Sequence, residues 1–204
     1  RALAIHLPGL RDVVGKAGQL IIDGQHESGG WDYAYETEGP RGGDLSITGW
    51  QLQALKACKL TGLDFRHLRR CVRDGLDYVG ERQAADGGFG YQSTRPAGDA
   101  AGASLTGVGM LSYQIWAQAA AAPVRKGERY AAGKLRFEWD GPECDLYAHY
   151  YLSQAMFRRG GDTWESYRPQ IFDVLMPHQA DDGSWPVPGG GAKPRAVGAL
   201  FADD

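Results

Sequence analysis

The sequence contains one pair of side chains with the spacing of an acid–base pair, Asp145 and His149. Residues four apart share one face of a helix, so a carboxylate and an imidazole placed in this way can hold and transfer a proton. Glu143 and Cys144 directly precede the pair and could join it in an improvised metal site. The same spacing also lets Asp145 and His149 bond to each other, which would satisfy two partly buried polar groups without any chemistry.

A second group of polar side chains lies where two helices are predicted to begin. The stretch DLSITGWQ starts at Asp44, and its centre returns as SLTG, which starts at Ser104. Asp44 and Ser46 are good N-cap residues because their oxygens can accept hydrogen bonds from the first free amides of a helix. Ser104 can do the same for the second stretch. We therefore expect capping, and helix–helix hydrogen bonds from Thr48 and Thr106, rather than chemistry.

Composition and charge are those of an ordinary globular chain. The 204 residues are 43% hydrophobic and 23% charged, with a net charge of -3. Nucleic acids and anionic membranes select surfaces with clustered Lys and Arg, so neither is an expected partner. No apolar run approaches the roughly 18 residues of a membrane span, and we predict none. The sequence does not indicate a compartment.

The three cysteines, Cys58, Cys71 and Cys144, are too few and too scattered for a disulfide framework or a Cys-x-x-Cys zinc site. Cys58 and Cys71 fall in predicted helices. We expect both to behave as small buried apolar groups.

One spacing recurs three times: a Gln, a Gly four residues later and an aromatic residue six later. The copies are QHESGGW from Gln25, QAADGGF from Gln83 and QADDGSW from Gln179. The first two match further, because Ser46 follows Gln25 by the interval that separates Ser104 from Gln83. Such self-similarity is typical of repeat architectures.

Helical periodicity flanks these loops on both sides. Amphipathic stretches precede Gln83 and Gln179, with apolar residues at helix spacing. Lys126 to Leu135 could be a further helix of this kind. Second helices are predicted to begin at Leu45, Ala103 and Leu146. The repeated unit is therefore predicted to be an αα-hairpin of about 50 residues.

The repeated loop has a structural explanation. We expect the Gln to bond the last free carbonyls of the helix before it, the Gly to adopt a positive φ, and the aromatic ring to shield the Gln from solvent. These residues are predicted to stabilise the fold. No catalysis is expected from them, or from Asp181 and Asp182 in the third copy.

The loop resembles the QW motif of the squalene and hopene cyclases. The series of hairpins is similar to the α/α-toroid that those enzymes share with the protein prenyltransferases, over a range from about Leu10 to Phe201. The resemblance implies an inner ring of helices around a cavity, with the helices that end at each Gln forming an outer ring. We therefore predict an all-α, partial α/α-toroid of about four αα-hairpins, forming one domain over residues 1–204 that is an arc or a fragment of a longer protein.

The residues that carry chemistry in those families are replaced here. Hopene cyclases have an Asp-x-Asp-Asp-Thr run at this helix start, and DLSIT keeps Asp44 and Thr48 but has Ser46 and Ile47 in place of the acid pair. Prenyltransferases bind zinc with a Cys that matches Ser46 and a His that matches Ala148. Two of the three zinc ligands are thus missing. We therefore predict that the chain has neither the cyclase nor the prenyltransferase activity, and that it binds no metal and no cofactor.

The resemblance places the remaining polar and aromatic side chains, Tyr151 among them, at the cavity mouth, with Tyr33, Tyr35 and Tyr91 on the loops above. Aromatic walls with a few fixed polar groups suit a small-molecule pocket. We expect a hydrophobic or isoprenoid-like ligand, or a protein partner, without catalysis. The predicted ligand-binding residues are Ser46, Thr48, Trp50, Tyr91, Ser104, Tyr147 and Tyr150.

An enzyme with relocated acid–base chemistry is the alternative. Asp145, His149 and Asp44 would then be the catalytic candidates, in an activity resembling that of isoprenoid cyclases or of polysaccharide lyases. Whether the chain is an enzyme stays open at this stage.

The number of predicted helices indicates an incomplete ring. About eight helices are predicted, the last beginning at Val197, whereas the resemblance implies about six hairpins in a closed toroid. An open arc leaves apolar edges uncovered. We therefore predict self-association or contact with a missing partner domain at one end.

Overall fold

The computed structural model describes residues 9–40, 42–90, 103–141 and 144–188. These residues form seven α-helices and no β-strand, which confirms the all-α fold. A 3₁₀ turn, Met176–His178, follows the seventh helix. The helices are α1 (Leu10–Asp23), α2 (Leu45–Leu60), α3 (Leu68–Glu81), α4 (Ala103–Ile115), α5 (Ala122–Lys134), α6 (Leu146–Arg159) and α7 (Gly161–Leu175).

The predicted helix starts at Leu45, Ala103 and Leu146 are confirmed. Asp44 and Asp145 are the N-caps of α2 and α6. The helix predicted between Lys126 and Leu135 is α5, which begins four residues earlier because Pro123 suits the first turn of a helix. The helix predicted from Val197 lies outside the described residues.

Helix α4 is the centre of the fold. It contacts α2, α3, α5 and α6, and every residue from Leu105 to Ile115 is buried. Gly107 lets α4 and α6 approach closely, since a Cβ there would overlap the backbone of Tyr151 and Leu152. The helices α2, α4 and α6 thus form a continuous row. Of the other helices, α1 and α3 pack on α2, α5 packs on α4, and α7 packs on α6. The toroid stays a prediction.

The three Gln motifs form the same tight loop, named here loop 1 (Gln25–Trp31), loop 2 (Gln83–Phe89) and loop 3 (Gln179–Trp185). In each, the amide after the Gln donates to the carbonyl four residues further on, at 3.0, 2.8 and 2.9 Å. The loop glycines Gly29, Gly87 and Gly183 have φ values of 90°, 102° and 85°. The predicted positive φ is confirmed at all three.

The role predicted for the Gln was wrong. Gln25 Nε2 donates to the carbonyl of Gly29 at 2.7 Å and to that of Cys71, in α3, at 2.8 Å. Gln83 Nε2 donates to the carbonyl of Gly87 at 3.0 Å and to that of Pro123, in α5, at 2.9 Å. Backbone amides of the turn already serve carbonyls at the helix end, so the Gln can instead tie its loop to the next odd-numbered helix.

The tryptophans of loops 1 and 3 have a role beyond the predicted one. Trp31 Nε1 donates to the carbonyl of Ile21, and Trp185 Nε1 to that of Leu175, both at 2.8 Å. The indole therefore bonds a last-turn carbonyl of the preceding helix, the task expected of the Gln. Trp31 and Phe89 are buried, whereas Trp185 is 40% exposed. In loop 3 the Trp185 ring therefore does not shield the Gln from solvent, and Gln179 is exposed.

Candidate functional site

Asp44 caps α2 from a buried position. Its Oδ1 accepts hydrogen bonds from the amides of Ser46 at 2.8 Å and Ile47 at 3.2 Å. The Ser46 hydroxyl also donates to this oxygen. Capping is therefore confirmed for Asp44, and Ser46 supports the cap rather than forming one.

Asp145 performs the same task for α6 and joins two helices. Its Oδ1 accepts hydrogen bonds from the amides of Tyr147 at 3.0 Å and Ala148 at 3.2 Å. Its Oδ2 accepts a hydrogen bond from the hydroxyl of Ser104. Ser104 was expected to cap its own helix. Because it lies inside the first turn of α4, its hydroxyl instead reaches the cap of the neighbouring helix.

His149 does not bond Asp145 as the spacing suggested. Its Nδ1 lies 2.8 Å from the hydroxyl of Tyr167 in α7, and its ring centroid is 4.5 Å from that of Phe137. Burial raises the pKa of Tyr167 above its ordinary value, and a hydrogen bond with Ser153 partly opposes the rise. The helix directs the imidazole towards α7, so the carboxylate and the imidazole have separate partners.

The predicted helix–helix threonines anchor the Gln loops instead. The Thr48 hydroxyl oxygen accepts a hydrogen bond from the amide of Trp31 at 3.0 Å, and that of Thr106 accepts one from Phe89 at 3.4 Å. Both threonines are fully buried. Thr48 was expected to contact a ligand. Its hydroxyl instead joins loop 1 to α2 and lies away from the surface.

Four aromatic residues of α2 and α6 meet at one surface, named here the aromatic patch: Trp50, Tyr147, Tyr150 and Tyr151. Tyr151 is buried at its centre, and its ring lies 6.4 Å from Trp50, 5.0 Å from Tyr147 and 5.1 Å from Tyr150, all edge to face. The outer three side chains are 57%, 37% and 61% exposed. The structure therefore brings together three predicted ligand-binding residues.

Tyr151 was expected at the cavity mouth but was not among the predicted ligand-binding residues. Its pKa is raised by burial and by the neighbouring Tyr150, while a hydrogen bond with Tyr147 opposes the rise. The spacing of four residues from Tyr147 was the available signal, because it places both rings on one helix face. Tyr33 and Tyr35 are exposed, and the predicted Tyr91 lies outside the described residues.

A shallow depression of about 230 Å³ lies elsewhere, between α3 and the end of α4. Its lining includes Arg69, Arg73, Asp77, Tyr113 and Trp116. None of the predicted site residues belongs to it. Sequence reasoning gave no indication of this depression because its two walls are distant along the chain.

The described part of the chain has neither a metal-binding cluster nor a membrane-spanning helix. There, no three or more His, Cys, Asp and Glu side chains are grouped so that they could hold a metal ion. Among the same residues, no helix combines the length and apolar character needed to cross a bilayer.

Comparison of the chain with protein-family models, with curated proteins and with solved structures found no match. The resemblance to the squalene cyclases and prenyltransferases therefore stays a prediction.

Proposed function

We propose that the chain is a binding domain, similar in architecture to the terpenoid cyclases and prenyltransferases, that holds a hydrophobic, isoprenoid-like small molecule on the aromatic patch. The observation that supports this proposal is the meeting of three exposed aromatic side chains around the buried ring of Tyr151. Clustered exposed apolar surface commonly marks an interaction site.

The chemistry of the patch favours a flexible apolar ligand with a polar end. Aromatic rings offer a large contact area at a small cost in side-chain entropy, and tyrosine adds a hydroxyl beside that area. An isoprenoid alcohol matches both features, because its chain can lie along the rings of Trp50 and Tyr150 while its hydroxyl bonds a tyrosine.

The candidate catalytic residues support binding without catalysis. Both carboxylates act as helix caps, with Asp44 bonded to the start of α2 and Asp145 to α6 and Ser104. A general base needs a lone pair directed at its substrate. His149 directs its Nδ1 at Tyr167, in the packing between α6 and α7. Acid–base chemistry on these three groups therefore forms no part of the proposal.

Binding of farnesol, measured by isothermal titration calorimetry, tests the proposal. Trp50→Ala should weaken binding by up to about tenfold, since losing one aromatic contact costs about 0.5–1.5 kcal/mol and 1.4 kcal/mol corresponds to a factor of ten. Trp185→Ala is the matched control, because Trp185 is also exposed but lies outside the patch. It should leave the affinity unchanged.

Two results would overturn the proposal. Farnesol could fail to bind the wild-type chain up to its solubility limit, or both tryptophan variants could weaken binding equally. A squalene-cyclising or prenyl-transferring activity of the purified protein would refute the absence of catalysis.

A further inference from the structure

Loops 1 and 2 are each covered by one face of an odd-numbered helix. The carbonyls that receive the Gln amides belong to Cys71 in α3 and Pro123 in α5. Three residues after each of these, a backbone carbonyl lies directly against the loop glycine, so that a Cβ on that glycine would overlap it. The covering faces comprise Cys71, Asp74, Gly75 and Tyr78 in α3, and Pro123, Lys126, Gly127 and Tyr130 in α5.

The same four positions make the contacts in both cases. Gly75 lies against the Trp31 ring, which a Cβ on this glycine would meet at 3.1 Å, and a Cβ on Gly127 would meet the Phe89 ring at 3.6 Å. Tyr78 and Tyr130 are both buried. The spacing is that of one helix stripe, in which a small residue is followed three positions later by a tyrosine.

Loop 3 has the same internal bonds but no covering helix among the described residues. Gln179 Nε2 donates to the carbonyl of Gly183 at 2.9 Å, as in the other loops. All seven residues of loop 3 are exposed, whereas only one residue in each of loops 1 and 2 is. The nearest atom to a Cβ on Gly183 is Gln179 Nε2, at 3.9 Å. Within the described part of the chain, loop 3 is therefore an open socket.

Helix α1 carries a matching stripe that is also exposed. The four covering residues of α3 lie 12, 9, 8 and 5 positions before Gln83. The residues at the same distances before Gln25 are Val13, Lys16, Ala17 and Leu20 of α1. All four are exposed, and Val13 and Leu20 are each 59% accessible. No Gln loop of the described chain packs on this stripe. An exposed Gln loop and an exposed helix stripe, which fit together elsewhere in the fold, therefore lie at opposite ends of the described helix order.

We propose that loop 3 of one copy of the chain receives the α1 stripe of a second copy, in a head-to-tail contact. Gln179 would donate to the Val13 carbonyl of the second copy, and Trp185 would pack against its Ala17. Ala17 adds a methyl group where α3 and α5 have glycine, and the exposed indole has room to move aside. Lys16 would approach the carboxylates of Asp181 and Asp182.

The symmetry of this contact has a measurable consequence. Different surfaces of each copy meet, so the contact is heterologous, and copies add head to tail until the chain of copies closes into a ring or stays open with one free socket and one free stripe. The average mass should therefore rise beyond that of a dimer as the protein concentration increases. The aromatic patch takes no part in this contact, so the ligand proposal stands or falls separately.

Sedimentation velocity over a wide range of concentration, with three exposed-site variants, tests the proposal. Trp185→Glu blocks the socket, Leu20→Glu blocks the stripe, and Leu60→Glu places the same charge at an exposed position outside both. The first two should be monomers at every concentration, and Leu60→Glu should associate like the wild type. An equimolar mixture of the first two should form a dimer and nothing larger, because each retains one intact half of the contact.

Three results would overturn the proposal. The wild-type chain could stay monomeric at all concentrations, association could survive either blocking variant, or the mixed variants could fail to form a dimer. The last result would indicate a contact between like surfaces.

Discussion

Loops 1 and 3 share a backbone but differ in their surroundings. Each has a positive-φ glycine, a Gln amide bonded to that glycine, and an indole bonded to the last turn of the preceding helix. Yet Trp31 is 4% exposed and Trp185 is 40% exposed. The seven-residue sequence therefore builds the turn, and the neighbouring helices decide whether it becomes part of the core.

Two residues from neighbouring helices cover Trp31 of loop 1. Thr48 accepts a hydrogen bond from the Trp31 amide, and Gly75 receives the indole ring. Neither has a counterpart for loop 3 among the described residues. The same side chain should therefore contribute more to the free energy of unfolding in loop 1 than in loop 3, because the hydrophobic contribution scales with the apolar area removed from water.

The largest difference is expected for the two tryptophans. Trp31→Ala should lower the free energy of unfolding by about 3–5 kcal/mol, because it leaves a cavity in the core. Trp185→Ala should cost less than about 1.5 kcal/mol, since its ring keeps much of its exposure to water in the folded state. Urea denaturation followed by circular dichroism, at a concentration where the chain is monomeric, measures both. Equal losses would mean that the turn alone, and not its cover, determines stability.

The glutamines of loops 2 and 3 allow the same comparison of covered and exposed loops for single hydrogen bonds. Gln83→Met keeps the side-chain length but removes the donor to the carbonyls of Gly87 and Pro123. Leaving these part-buried acceptors unpaired should cost about 1–3 kcal/mol. Gln179→Met should stay within about 0.5 kcal/mol of the wild type, because water can reach the Gly183 carbonyl. The same denaturation experiment measures both values.

Gln25→Met provides the matched repeat of that measurement. Its amide joins Gly29 to Cys71 as that of Gln83 joins Gly87 to Pro123. It should therefore behave like Gln83→Met. A loss of stability for only one of the two covered loops would break the equivalence on which the comparison depends.

Local features of the fold were predictable from the sequence. The starts of α2, α4 and α6 followed from periodicity and from polar residues such as Asp44 and Asp145, which act within a few positions along the chain. The positive φ at the loop glycines followed from the repeated spacing. The aromatic patch was predicted in part, because Tyr147 and Tyr150 share a helix with the Tyr151 that joins them.

Partners far apart along the chain were not predictable in the same way. The acceptors Cys71 and Pro123 lie 46 and 40 residues after their glutamines, and only the packing of the helices brings them there. His149 likewise bonds Tyr167, 18 residues away. One sequence signal was available and was missed, namely the Gly-x-x-Tyr that recurs at Gly75 and Gly127. It marks the helices that cover loops 1 and 2.

A pH dependence of stability is expected at the covered end, and it stays small below pH 9. Burial, with smaller contributions from Asp74 and Asp23, raises the pKa of Cys71 from 9.0 to about 12. An unfolded thiol would ionise near the lower value, so the folded state retains the proton more tightly. The contribution of Cys71 to stability is therefore complete below pH 9 and is lost as the pH rises from 9 towards 12. Tyr113, whose pKa burial raises to about 12, adds to the same decline.

Comparing Cys71→Ala with the wild type isolates the thiol. The difference in their free energies of unfolding should be largest near neutral pH and should shrink above pH 9, because only the wild type loses stability by ionising this thiol. Val72→Ala is the matched control, since Val72 is a buried neighbour that does not titrate. Its cost should not change with pH. If both differences stay constant, the helix that covers loop 1 does not seal Cys71 from water, and the contrast with loop 3 is weaker than the geometry indicates.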